Sequence, residues 1–220
     1  MFIHFDTTIN RTGTNTFDCM LKTDIVYKNI SKIFLKSVEI PVAFYQTHAP
    51  LNKFTMNSVS YTIPESDYTI SSMINACNMV FTDGIFILGS NNLVTFSSSN
   101  VYTMSVVTGD VLYQLGFRDS QSGTVIQAQC GFNMNIHTYV SMAIKNISTS
   151  SPECRFATFK IPVDVKNGII FYQNENQQFT QCIEMNNTTF IDRLIISVYD
   201  RFGNILNNNG VDWSFTLMLI

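Results

Sequence analysis

Apolar and polar positions change places at short range along most of this chain. Phe17, Cys19 and Leu21 alternate with Asp18, Met20 and Lys22, the period of a strand with one buried face. Similar runs, rich in β-branched and aromatic residues and bounded by Gly, Pro, Asn or Ser, recur down the chain. They predict strands at Phe17–Lys22, Ile33–Ile40, Ser58–Ile63, Ile85–Leu88, Leu93–Ser97, Tyr102–Val107, His137–Ile144, Ala157–Val163, Ile169–Gln173, Phe179–Glu184, Leu194–Tyr199 and Trp213–Leu219. Lys28, Lys32 and Lys36 have helical spacing, but Ile33–Ile40 reads as a strand.

Two segments depart from this period. Ile70, Met73, Ile74, Cys77 and Phe81 lie at offsets that put them on one face of a helix. A helix is predicted over about 69–81, with Ser66 or Asp67 as its cap. Val111–Leu115 reads as a single helical turn before Gly116. Many short strands and one helix point to an all-β sandwich or barrel with long excursions. No repeat or Pro/Gly-rich linker divides the chain, so a single domain is expected over residues 1–220, with Ser120–Gly123 and Ser148–Pro152 as loops.

Leu194, Ile196 and Val198 alternate with Ile195, Ser197 and Tyr199, a run with few polar positions and so one covered on both faces. Asp200–Gly210 is a polar connection, and a strand resumes at Trp213. Antiparallel pairing of these two strands is the simplest expectation.

Composition adds a surface argument. The chain of 220 residues is 45% hydrophobic and only 13% charged, where soluble domains carry about 25% charged residues. Either neighbouring proteins cover much of the surface, or Asn, Ser and Thr supply its polarity. The net charge of −3 and the scattered Lys and Arg leave no basic stripe for nucleic acid. No apolar run is long enough to cross a bilayer, and the opening residues do not resemble a signal peptide. The sequons at Asn10, Asn29, Asn146, Asn186 and Asn187 are therefore read as chance.

Candidate chemistry is sparse. The cysteines at 19, 77, 130, 154 and 182 are odd in number, far apart and without a CxxC pair, so reduced thiols are expected in place of disulfides or zinc. His4, His48 and His137 lack metal-ligand spacing, and the nucleotide and hydrolase motifs do not occur. Asp200 and Asp212 are the one pair of carboxylates worth weighing for acid–base work, but both read better as turn residues, Gly203 supplying positive φ for the first. No catalytic, cofactor or metal residue is assigned, and no cofactor is expected. The eighteen Phe alternate with neutral residues, which favours core or subunit-interface packing over base stacking.

Three stretches carry a family resemblance. The first runs Ser37-Val38-Glu39-Ile40-Pro41, then Phe44-Tyr45, then Tyr61-Thr62-Ile63-Pro64-Glu65-Ser66-Asp67-Tyr68-Thr69-Ile70. The second is Leu115-Gly116-Phe117, and the third is Leu194–Asn204 continuing through Gly210-Val211-Asp212-Trp213-Ser214-Phe215-Thr216-Leu217. In that order they resemble the penton (vertex, minor capsid) proteins of virophages, Polinton-like elements and the tectivirus–adenovirus lineage. The resemblance implies a single jelly roll, a homopentamer at an icosahedral vertex, a virion location after assembly in host cytoplasm or nucleus, and no enzymatic activity. It implies a double jelly-roll major capsid protein as partner, with other minor capsid proteins or a vertex spike as further candidates, and neither nucleic acid nor direct membrane insertion. The major capsid role itself needs roughly twice this length. The alternative is a carbohydrate- or receptor-binding jelly roll using the loops Gln46–Phe54 and Ser120–Gln129. A small hydrolase on a β scaffold ranks third.

Overall fold

The computed structural model describes residues 1–9, 11–148, 156–163, 169–173 and 181–220. Its strands are β1 (Phe2–Asp6), β2 (Arg11–Thr12), β3 (Asp18–Pro41), β4 (Lys53–Met56), β5 (Val59–Thr62), β6 (Ile85–Leu88), β7 (Val94–Ser105), β8 (Gln121–Gln127), β9 (Tyr139–Ser148), β10 (Phe156–Pro162), β11 (Ile169–Gln173), β12 (Cys182–Tyr199) and β13 (Ser214–Leu219). Two helices, α1 (Ile70–Val80) and α2 (Val111–Gln114), complete the described elements. The protein is all-β and of jelly-roll sandwich type, its described strands falling into two antiparallel sheets, with α1 at the predicted place. Its contacts fall into two units, Met1–Phe44 with His137–Ile220, and Tyr45–Ile136. The buried apolar side chains correspondingly form two cores, one in each unit.

The first unit is organised by β3. At 24 residues, a straight strand of this length would span roughly 80 Å, so it must bend to enclose a core. Asn29, at φ 57, and a series of register shifts in its partner β12 between Glu184 and Arg193 supply the bend. One half of β3 pairs with β13, β11 and the start of β12. The other half pairs with β2 and the end of β12, whose far side continues into β9 and β10. One continuous ladder thus forms two layers. Ile33, Leu35, Val38, Ile40, Phe215 and Leu217 from one layer share a core with Cys19, Leu21, Leu194, Ile196, Val198 and Met142 from the other.

A bulge keeps the β3 face in phase. Ser37 pairs with Thr216 and Leu35 with Leu217, which leaves Lys36 as an extra residue. The insertion lets both Ile33/Leu35 and Val38/Ile40 face inward despite their odd separation.

The closing stretch departs from the simplest expectation. β12 and β13 are not neighbours; β3 lies between them. The connection after Tyr199 carries the chain from one layer to the other, so no hairpin forms. Trp213, just before β13, donates its indole N–H to the Thr16 carbonyl at 2.8 Å and meets Phe17 edge-on, tying the layers together.

The second unit is a five-stranded antiparallel sheet, ordered β5-β4-β7-β6 with β8 also on β7. α1 buries Met73, Ile74 and Cys77 on the predicted face. Its cap is Thr69, not Ser66 or Asp67: Thr69 and Ser72 satisfy one another's backbone N–H groups. Ser66 instead bridges to Thr47, and Asp67 accepts from the Gln46 N–H. Phe54, Tyr61, Phe81, Phe86, Phe96 and Tyr102 pack as a mostly edge-to-face aromatic cluster. The Phe-rich composition therefore serves a core, as predicted.

Candidate assembly surfaces

The ionisable residues singled out in the sequence have structural partners. Asp200 closes the turn that follows β12: its carboxylate accepts from the Phe202 and Asn204 N–H groups and the Asn204 amide, with Gly203 at φ +88. Asp212 is not a turn residue. It accepts from the Thr7 hydroxyl at 2.9 Å and from Arg11 at 2.7 Å, pinning β2 beside the start of β13. The two carboxylates are thus held by different sets of donors. His4 lies exposed on β1 beside the Thr216 hydroxyl. His137 is buried, its ring 6.0 Å from that of Phe202. His48 is also buried, with Nδ1 2.7 Å from the Ala49 carbonyl.

Neither proposed ligand loop is an open loop. Ser120–Gln129 contains β8, and Ala128 extends its ladder by donating to the Val94 carbonyl. Within Gln46–Phe54, the residues Gln46, Thr47, His48, Leu51, Asn52 and Phe54 are buried, and β4 begins at Lys53. Buried, reduced thiols are found at Cys19 and Cys77, where burial pushes the pKa up to about 11 and about 12. Cys130 is half-buried and Cys182 is exposed, so burial does not extend to every cysteine. Cys154 and the sequon at Asn10 lie outside the described residues, as do the side chains of Asn186 and Asn187. Asn29 is exposed on β3.

Asn and Gln do more than supply polarity. The Asn78 amide of α1 donates to the Phe86 carbonyl and accepts from the Phe86 N–H, closing the outer edge of β6 as a further strand would. Gln181 treats Lys160 of β10 the same way, at 2.6 Å in both directions. Asn146 spans the Arg193 carbonyl and the Ile195 N–H of β12. Open strand edges invite pairing with other chains and are commonly guarded by charge. In a chain this poor in charge, carboxamides take that task. Spacing alone does not reveal these pairings, because each is long-range or crosses between elements.

The outward surface of the first unit carries an apolar row of its own, with Met218 and Phe34 half-buried and Phe2 and Cys182 exposed. On the β1–β13–β3 layer, Phe2 pairs with Met218, Met218 with Phe34, and Phe34 with Cys182. The next residues inward, Ile3, Leu217 and Leu35, are buried, so the Phe2–Met218–Phe34–Cys182 row faces out. Phe2 is 67% exposed. Beside this row the Lys32–Glu184 ion pair (2.6 Å) is self-neutralised, and two rows the other way Asp6, Ser214 and Glu39 line up. On the other layer the outward residues include Lys22, Arg193, Lys145 and Lys160, with Met20 and Ile195 side by side between them.

No family model and no curated protein matches the chain. Among solved structures it is similar to the crystal structure of mavirus penton protein, over 100% of both chains, with a TM-score of 0.46 and 8% sequence identity. No family follows from that likeness.

Proposed function

We propose that this chain is a structural capsid protein that occupies the vertex of an icosahedral particle as a pentamer, next to a double jelly-roll major capsid protein. The observation that carries the reading is the outward row Phe2–Met218–Phe34–Cys182, an apolar strip laid across four strands of a jelly-roll sheet. Such a strip costs solvation free energy unless another protein covers it. The low charge of the whole chain points the same way, since interface cores are depleted of charged residues. The ordered motifs ending on the Trp213 strand supply the family resemblance, and their residues have structural roles: Pro41 ends β3, Thr69 caps α1 in the second unit, and Trp213 bridges the layers of the first.

The mechanism is assembly. A five-fold ring joins two different patches of each copy, and the ring's outer rim meets the major capsid protein. Co-expression with such a capsid protein, followed by purification of particles, tests the role. Stoichiometric recovery of this chain in particles is the expected result, and particles that form without it would overturn the reading.

A further inference from the structure

We infer that copies of this chain join front to back, the basic outer face of the β2–β3–β12–β9–β10 layer in one copy seating on the acidic end of the β1–β13–β3 layer in the next. The number of copies in the resulting ring rests on the vertex reading above; the pairing of faces rests on charge and register.

The basic face has a built-in conflict. Arg193 and Lys22 are directly paired across the β12–β3 ladder. Like charges in that position repel and weaken the sheet. Asp192 lies 4.0 Å from Arg193, at the limit of an ion pair. Lys145 is shared with Asp18 at 3.3 Å, and Lys160 extends the positive field over the Tyr139 ring. Among the described residues of this face, the cations Lys22, Lys145, Lys160 and Arg193 outnumber the carboxylates Asp18 and Asp192. Met20 and Ile195, paired and half-buried, give it an apolar strip.

The other layer carries the counterpart. Asp6, Ser214 and Glu39 form one cross-strand row, and Asp6, Glu39 and Asp212 line a cleft of about 200 Å³ with Ile169 and Pro41. Arg11 answers Asp212, and Lys36 stands off in the bulge, so among the described residues carboxylates prevail at this end. The apolar Phe2–Met218–Phe34 row lies alongside. Each face is thus an apolar strip beside an excess of one sign of charge, and the signs are opposite. The two faces belong to opposite layers of one sandwich, so a contact between them joins unlike patches and repeats from copy to copy. That is the heterologous contact a closed ring requires. A second copy brings countercharge for the excess on each face and cover for its apolar strip.

Charge reversal tests this on the full chain. K22E/R193E reverses one face, E39K the other, and the triple variant restores opposite signs. Native mass spectrometry at about 0.15 M salt, where exposed charges more than about 8 Å apart are screened, reads the assembly. Each single-face reversal is expected to weaken association about tenfold or more, chiefly at low salt, and the triple variant to recover it. The triple variant also shows that lost assembly is not lost folding. A wild type that assembles while both single-face variants assemble equally well overturns the inference and leaves the vertex reading intact. A wild type that is monomeric, absent from particles and retained on a polyanion column overturns both, assigning the basic face to another anion.

Discussion

Asn78 and Phe86 are joined by two hydrogen bonds, 3.0 and 2.8 Å, that run from one side-chain amide to both backbone groups of one strand residue. The amide reproduces what a neighbouring strand would offer, so β6 is closed by a helix side chain. Asn78→Ala removes both bonds and reopens the edge. A loss of about 1–3 kcal/mol in denaturant unfolding is expected, together with concentration-dependent aggregation. Unchanged stability and solubility would show that β6 needs no guard.

Gly116 and Gly203 separate two costs of a side chain. Both have positive φ, +100 and +88. A Cβ at Gly116 would collide with the Cys130 carbonyl oxygen, whereas at Gly203 it meets open space. Gly203→Ala is expected to cost about 1–2 kcal/mol through backbone strain alone. Gly116→Ala adds displacement of Cys130 and is expected to exceed that plainly, as urea midpoints will show.

Asp110 gives the second unit a pH dependence. It is buried, and desolvation pushes its pKa up to about 6 from 3.8, although its carboxylate accepts from the Tyr113 and Val107 N–H groups. A raised folded pKa in an acid means stability fully present below pH 3.8 and lost as pH rises through about 6. Against Asp110→Asn, which keeps the α2 cap, the wild type should lose about 1–3 kcal/mol between pH 4 and pH 7. A constant difference between the two across that range would contradict the assignment.

The single tryptophan isolates the first unit. Trp213 is 3% exposed, stacks on Phe215 and contacts Phe17. Its emission should be blue-shifted in the folded protein and report loss of the two-layer core. Trp213→Phe leaves the Thr16 carbonyl without the indole donor and should destabilise by about 1–3 kcal/mol in thermal melts followed by circular dichroism.

Local period revealed the all-β class, α1 and most strand cores, because burial on one face imposes its own alternation. It failed where ladders continue through polar residues. Phe17–Lys22 and Ile33–Ile40 are one strand, β3, and Leu93–Ser97 and Tyr102–Val107 are one strand, β7. Thr23–Asn29 and Ser98–Asn100 carry no apolar alternation, and their strand state comes from partners or from continuity through a bulge. Phe179–Glu184 begins outside the described residues, but its end and Leu194–Tyr199 belong to β12. Short β4 has too few residues for a period, and β8 has a mostly polar face that resembles a loop. β1 does alternate, with Ile3 and Phe5 inward, and was legible in principle. The outward apolar row was not, since it joins Phe2, Met218, Phe34 and Cys182 only once the register is fixed.

The native mass of the purified full chain tests the central claim most directly. A vertex protein joined by unlike patches should appear as a closed ring of five, about 125 kDa, from copies of 24.9 kDa. A single species at 24.9 kDa at every protein concentration, with none of the chain recovered in particles, would contradict the account.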